Sequence, residues 1–249
     1  MVSMTAMVAA AASIAAAGLR LGSTDCEHLH GGLVAQPINA WSSLTFLAAG
    51  LFILYGALRQ PEARRELLAF GVLVAANALG SFVYHGSAFA WGHWAHDIPA
   101  VGVPLFVATH DLGLVRGWPV QRRLLVFAAL LSLVGVLLLF VPDATFALAF
   151  VLIAAAGFGE LSAFRAGYRP RPSDGWSAWM TAWIFVVFSL ALAVGAFLLG
   201  RTASALCNPN SVFQYHAVWH VLSAASAAAF AYAGLEHGLA RISPGTAED

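Results

Sequence analysis

Seven long apolar stretches constrain the fold of this 249-residue chain more than any other feature. A helix needs about 20 mostly apolar residues to cross a bilayer. Of all residues 60% are hydrophobic and only 10% are charged, whereas a soluble domain carries about 25% charged residues. The sequence therefore predicts an all-α, polytopic membrane protein with seven transmembrane helices. The predicted spans cover residues 40–58, 67–85, 97–114, 124–141, 144–164, 176–199 and 212–235.

The arginines predict how these spans are oriented. All twelve basic residues are arginine, and short loops rich in arginine stay on the cytoplasmic side of a membrane. If the N-terminus is outside and the C-terminus inside, only Arg20 and Arg201 lie outside. The lysine-free, alanine-rich composition favours a bacterial source. We therefore expect an inner-membrane protein with the N-terminus on the periplasmic side.

The first 24 residues are predicted to form a separate segment. Residues 1–19 are alanine-rich and only weakly apolar, and Arg20 follows them. This pattern favours a signal-like or peripheral segment over an eighth span. Residues 25–249 are then a single seven-helix domain, since no linker within them indicates a second one.

Three histidines fall at the same predicted depth in the membrane. His85 ends the second span, and His216 and His220 open the seventh as an i, i+4 pair on one helix face. Ionisable side chains are costly inside a bilayer, so a group of them at one level indicates a functional site. Three imidazoles suit a catalytic zinc ion whose fourth position holds water. The alternative is that each histidine hydrogen-bonds a neighbouring helix.

Two further polar residues share this level. Ser81 lies one turn before His85, and Asp97 opens the predicted third span. Ser81 can instead bond a carbonyl of its own helix, and Asp97 can act as a helix cap. Other polar residues near the span ends are expected in solvated loops or at the membrane interface: His28, His30, His93, His96, His110, Asp111 and His237.

Five short segments carry a family resemblance. They are Asp25–Glu27, Gln36–Ser42, Gly80–His85, His96–Pro99 and Tyr215–His220. In this order they resemble the acidic-cysteine stretch, the opening of the first span, the serine–histidine and aspartate segments, and the histidine–tryptophan–histidine segment of the alkaline ceramidases. That family consists of seven-helix intramembrane zinc hydrolases related to the adiponectin receptors.

The resemblance implies an amide hydrolase that cleaves the N-acyl bond of ceramide, or of a related N-acyl lipid, to a sphingoid base and a fatty acid. It implies that three histidines hold the zinc: His85, His216 and His220. Ser81 would then stabilise the oxyanion or steady the water, and Asp97 would move protons. Asp97 follows His85 by one residue more than the family spacing, so His96 is an alternative proton carrier.

A calcium site is a further implication of the resemblance. Eukaryotic members of the family bind calcium through acidic residues of the N-terminal segment, and calcium prefers oxygen ligands. The candidate ligands here are Asp25, Glu27 and Asn39. Gln36, however, stands where an acid is expected.

The two cysteines are predicted to form a disulfide. Cys26 and Cys207 are the only cysteines, and each precedes an odd-numbered span. Odd-numbered spans begin outside in this topology, where disulfides persist. The alternative is two unpaired thiols.

Other functions remain as alternatives to a zinc amidase. The same three histidines suit a related seven-helix zinc-binding receptor, or a hydrolase with a different lipid ligand. A haem-binding electron carrier joins histidines across the porphyrin from facing helices, which fits an HxxxH pair less well. A transporter usually shows internal repeats, and the chain has no convincing one. The formal net charge of zero argues against a nucleic-acid partner, and the oligomeric state is left open.

Overall fold

The structure, a computed structural model, describes residues 22–87, 91–169 and 178–236, without the side chain of Trp179. Within these ranges it is helical and contains no strand, and seven helices are long and apolar enough to cross a membrane. The predicted seven-helix, all-α fold is therefore confirmed. Residues 1–21, which include most of the predicted separate segment, and His237 lie outside the described residues.

The seven spans run back and forth through the bundle. The first consists of the short helix Pro37–Ser42 and the helix Leu44–Arg59. A 3-10 turn, Pro142–Ala144, leads into the fifth, and a π-helical segment, Ala231–Glu236, continues the seventh. The second to seventh spans are the helices Arg64–Ser87, Gly92–Val115, Val120–Phe140, Thr145–Arg165, Ala178–Leu199 and Tyr215–Phe230.

Proline and glycine mark several of the helix boundaries. Pro37 and Pro142 stand in the first turn of their helices, where the missing N–H costs no hydrogen bond. Pro119 directly precedes the fourth span. Gly117 follows the third span with a φ of 64°, a conformation that glycine adopts without strain. The connections at these points are accordingly short.

The second, third and seventh spans form the interior of the bundle. About half of each is buried, against 11% of the fifth span and 17% of the sixth. Phe70, Phe106 and Phe230, one from each interior span, meet with ring centroids 4.9 and 5.5 Å apart. A Cβ at Gly80 would lie 2.0 Å from the carbonyl oxygen of Ala95, so only glycine permits this approach of the second and third spans.

A large apolar cavity separates the fifth and sixth spans. Its volume is about 3000 Å³. Close helix contacts join the first span to the second, the third to the fifth and the sixth to the seventh, whereas the described parts of the fifth and sixth spans do not pack closely together. Phe150 of the fifth span and Val187 of the sixth line this cavity and remain 59% and 66% exposed.

Two sequence expectations about polar residues were wrong, and one alternative, that Asp97 caps a helix, is excluded. The third span begins at Gly92, five residues before the predicted start, so His93 and His96 lie on a helix rather than in a loop. Asp97 consequently stands in the second turn and is no helix cap. The helix extends beyond its apolar stretch because its histidines find a carboxylate partner there.

The second wrong expectation concerns His110 and Asp111. They are buried, with 2% and 0% exposure, and are not interfacial. A hydropathy pattern places such residues at the membrane surface because it contains no information about partners. Here Glu66 and Arg169 from other segments pair with them inside the protein.

Candidate metal centre

His85, His216 and His220 converge at one end of the bundle, which we call the site end. One nitrogen from each imidazole lies within 4.8 Å of those from the other two. The ring centroids are 4.7 to 5.3 Å apart. All three side chains are buried, with exposures of 4% or less. Such a cluster of uncharged, buried imidazoles is a donor set that zinc prefers.

Helix geometry explains how two spans supply three imidazoles. His216 and His220 are separated by one turn and therefore lie on the same face of the seventh span. Ser81 and His85 have the same spacing on the second span. These two faces meet, since Ser81 Oγ lies 3.3 Å from His220 Nε2.

The nitrogen atoms that face the centre of the cluster have room for a shared ligand. His85 Nε2 and both ring nitrogens of His216 are buried without a hydrogen-bond partner. Buried polar atoms in native proteins are nearly always satisfied, so this group of unsatisfied nitrogens needs a partner of its own. Each imidazole can offer one nitrogen to a metal ion, which would satisfy His85 Nε2 and one nitrogen of His216, and the residues fit such an ion.

The opposite nitrogens of His85 and His220 hydrogen-bond oxygen atoms, and Nδ1 of His216 lies near an oxygen atom without bonding it. His85 Nδ1 lies 2.7 Å from Gln36 Oε1, and His220 Nδ1 lies 2.8 Å from Ser42 Oγ. His216 Nδ1 lies 3.4 Å from Asp25 Oδ1. Histidines that ligate metals usually have such an oxygen behind them, because it orients the ring and selects the tautomer.

Hydrogen bonds hold the side-chain amide of Gln36 in one orientation. Its Nε2 donates to the carbonyl oxygens of Gly22, at 2.9 Å, and Glu27, at 2.8 Å. The amide oxygen is thus the atom turned towards His85, and His85 Nδ1–H must donate to it. Gly22 has a φ of 78°, and a Cβ there would lie 2.4 Å from Gln36 Oε1. Sequence reasoning noted Gln36 only as a departure from the family and missed this contact.

Two serines of the first span determine the direction of the hydrogen bonds beside the cluster. Ser42 and Ser43 both donate to the carbonyl oxygen of Asn39 at 2.9 Å. Because each hydroxyl has one proton, Ser42 accepts from His220 Nδ1, and Ser43 accepts from Ser81 at 2.8 Å. Ser81 is thus oriented by another span, and its bond to Ser43 replaces the bond to its own helix considered above.

Asp97 and His96 form a pair at the edge of the cluster. His96 Nδ1 lies 2.6 Å from Asp97 Oδ1, while Thr145 donates to Asp97 Oδ2 at 2.5 Å. The His96 ring stacks on Tyr84, with centroids 4.6 Å apart, and its centroid is 6.0 Å from that of His85. Both members of the pair line the cavity. The His96 ring therefore lies near the cluster of three histidines.

Two of the three residues considered for calcium have other partners, whereas the side-chain amide of Asn39 is buried without a hydrogen-bond partner. Arg201 donates to Asp25 at 2.8 Å, and burial raises the pKa of the Asp25 carboxyl to about 6 although Arg201 opposes this rise. Glu27 accepts from the backbone N–H groups of Ile38 and Asn39 at 2.7 and 2.8 Å. Burial raises the pKa of Glu27 too, and these N–H groups oppose it. Calcium binding stays a prediction.

A disulfide joins Cys26 to Cys207, as the sequence analysis predicted, with Cα atoms 5.5 Å apart. Backbone hydrogen bonds accompany it, because Cys26 N donates to Gly200 O at 2.8 Å. The segment before the first span is thereby fastened to the connection before the seventh. Asp25 lies within this segment, and Gln36 is its last residue. The disulfide therefore lies near the oxygen atoms that face the histidines.

A known protein family matches most of the chain. The profile described as Ceramidase matches residues 26–238, which is most of the chain. The chain belongs to the ceramidase family. Curated proteins and solved structures, compared in the same way, give no match.

Membership of the ceramidase family has direct consequences for function. It supports hydrolysis of an amide bond in a ceramide-type lipid by an integral membrane protein. Ceramidases are generally metal-dependent, and the three histidines are a group that can hold a metal ion.

Proposed function

We propose that this ceramidase is a zinc-dependent intramembrane hydrolase that cleaves the N-acyl bond of ceramide or of a related N-acyl lipid. The observation that carries the proposal is the convergence of three buried imidazoles, with unsatisfied nitrogens, at a large apolar cavity. His85, His216 and His220 would hold the zinc ion. When bound, zinc lowers the pKa of a water molecule from about 15.7 towards about 7 and polarises an amide carbonyl.

The cavity supports a lipid substrate. Its lining is mostly apolar, and three of its polar groups, His216, His220 and Ser81, lie at the site end. The fifth and sixth spans are loosely associated around it and expose apolar side chains such as Phe150 and Val187. A lipid can therefore enter from the bilayer between these spans, bringing its amide to the histidines and its hydrocarbon chains to the apolar walls.

Ser81 would stabilise the negative charge that develops on the carbonyl oxygen. Its hydroxyl lies beside His220 Nε2 and is oriented by Ser43. Ser43 already donates its own proton to Asn39 O, so the Ser81 proton can turn from Ser43 to a substrate oxygen without leaving a donor unsatisfied. In a water-poor site, a hydrogen-bond donor held in position strongly stabilises the negative charge that develops on the oxygen.

The Asp97–His96 pair would carry the protons of the reaction. Hydrolysis removes a proton from water and delivers one to the departing amine. Asp97 bonds Nδ1 of His96 and so orients the ring, leaving Nε2 as the nitrogen that exchanges the proton. Thr145 holds the other carboxylate oxygen and keeps Asp97 in place.

The orientation of the site follows from the arginines. The three histidines lie at the site end, where the first and seventh spans begin. The positive-inside rule puts this end outside the cytoplasm. We therefore propose that the reaction takes place at the periplasmic side of a bacterial inner membrane.

Metal analysis and product analysis of the purified protein test the proposal together. We expect one zinc ion per chain and release of fatty acid from a ceramide in a panel of N-acyl lipids. His216→Ala should abolish both zinc binding and hydrolysis while the protein still inserts into the membrane. His30→Ala, at an exposed position, is the matched control. Stoichiometric zinc in a variant that lacks all three histidines would refute the metal centre.

A further inference from the structure

A second level of polar groups lies in the cavity one helical turn below the metal cluster. Asn77 precedes Ser81 by four residues on the second span, and Ser223 follows His220 by three on the seventh. Both residues line the cavity. Asn77 is 94% buried, since its exposure is 6%. Asn77 Oδ1 and Ser223 Oγ are buried atoms without a hydrogen-bond partner.

These two residues have similar depths. At a rise of 1.5 Å per residue, Asn77 lies about 6 Å below Ser81 and Ser223 about 4.5 Å below His220. Ser81 and His220 are themselves in contact, with Oγ and Nε2 3.3 Å apart. Both steps lead away from the site end, because the second span ends there and the seventh begins there. Asn77 and Ser223 therefore lie at a similar depth, about one helical turn further from the site end than the position proposed for the reacting amide.

We propose that Asn77 and Ser223 form a subsite that binds a hydroxyl group of the substrate. This inference rests on the proposed function and adds two residues, on two different spans, that recognise the hydroxyl group in the amino-alcohol part of the substrate. An amide oxygen accepts a hydrogen bond, and a serine hydroxyl can donate or accept one. A substrate hydroxyl, which also donates and accepts, satisfies both residues at once.

The apolar surroundings make this recognition selective. Phe46 and Phe70 line the same cavity, so little else there can bond the two polar groups. A substrate without the hydroxyl leaves Asn77 Oδ1 and Ser223 Oγ unsatisfied in the complex. Sites built to bond a hydroxyl discriminate strongly against analogues that lack it, because their polar groups stay buried and unpaired.

The test compares two lipids with the same acyl chain, one with the hydroxyl beside the amine-bearing carbon and one without it. For the unaltered protein we expect kcat/KM to be about 10- to 100-fold higher for the hydroxylated lipid. Asn77→Leu, which keeps the size but removes the polar groups, should bring the ratio close to one. Ser223→Ala, on another span, should reduce the same ratio. Zinc content should stay unchanged in both variants.

The control is Ser162→Ala, because Ser162 is a half-buried residue whose hydroxyl donates to the carbonyl oxygen of Phe158 in its own helix. It should leave the ratio unchanged. Equal kcat/KM values for the two lipids in the unaltered protein would overturn the subsite. So would a loss of activity in Asn77→Leu and Ser223→Ala that is the same for both lipids. A zinc-loaded protein that cleaves neither lipid would instead overturn the proposed function, and the subsite with it.

Discussion

The nitrogen that each histidine presents to a metal ion depends on residues distant in sequence. Gln36 lies 49 residues from His85, and Ser42 lies 178 residues from His220. Both contacts occupy Nδ1 and leave Nε2 directed to the cluster. Such outer contacts typically change metal affinity or activity by about 10- to 100-fold. We therefore expect both positions to affect metal binding, although neither touches a reacting atom.

Gln36→Met should weaken zinc binding by about 10- to 100-fold, because methionine fills a similar volume but cannot accept the His85 proton. The measurement is a competition titration with a zinc chelator, together with the kcat of the zinc-saturated protein. Gln121→Met, at an exposed position of the fourth span, is the control and should bind zinc normally. Unchanged zinc affinity in Gln36→Met would show that this amide does not orient His85.

The contacts of His96 and Asp97 predict different roles for the two residues: His96 carries the proton and Asp97 orients His96. His96→Ala should lower kcat by about 100-fold or more, since the proton carrier is lost. Asp97→Asn should lower kcat less if Asp97 only orients His96, and both variants should keep their zinc. His93→Ala is the matched control, because His93 also lies near Asp97, at 3.3 Å from Oδ2. A fully active His96→Ala beside an inactive Asp97→Asn would assign the proton transfer to Asp97 itself.

At the scale of helices, a second polar network holds the end of the bundle opposite the site. Glu66 of the second span accepts from His110 and from Arg123, at 2.8 and 2.9 Å. Arg169 pairs with Asp111 of the third span and with Glu160 of the fifth, and its guanidinium lies 5.0 Å from the Trp183 ring of the sixth. Arg169 thus bridges spans that surround the cavity and pack loosely.

Removing the guanidinium of Arg169 should lower the free energy of unfolding. Arg169→Met leaves Asp111 and Glu160 buried or half-buried without their cation, and breaking such a pair costs about 3–5 kcal/mol. We expect a clear drop in the unfolding temperature in detergent. Arg122→Met is the control, because Arg122 is exposed and its guanidinium lies 4.4 Å from the ring of Trp118. An equal effect of the two substitutions would contradict a special role of the network.

At the scale of the whole molecule, the Cys26–Cys207 disulfide joins two segments 181 residues apart in sequence. The chain-entropy estimate for so long a loop is about 5 kcal/mol, an upper value because the membrane already restricts the unfolded chain. The bridge also keeps Asp25 beside His216, where the two side chains lie 3.4 Å apart. It therefore stabilises both the fold and the surroundings of the metal cluster.

Cys26→Ser should lower the unfolding temperature and weaken zinc binding in parallel, since the N-terminal segment loses its attachment. Cys207→Ser should have the same effect, and the double variant should be no worse than either single one. Mass spectrometry of the unreduced protein should show the linked peptides. Free thiols at both positions in freshly isolated membranes would contradict the bridge and the outside orientation of the site.

Hydropathy and arginine distribution alone determined the number of spans and their approximate limits, because crossing a bilayer requires long apolar helices. The spacing of His216 and His220 determined that they share a helix face, and Cys26 and Cys207 were the only possible disulfide partners. These features depend on local pattern or on composition, which a sequence contains in full.

Only the tertiary structure decided which oxygen faces each histidine, where the third span begins and how His110 and Asp111 are buried. Gln36 looked like a missing acid, yet its amide fits because Gly22 and Glu27 offer carbonyl oxygens to it. Likewise, Arg169 reaches Asp111 across 58 residues of sequence. The burial of a polar side chain depends on a partner that neutralises it, and the identity of that partner is set by the packing of distant helices.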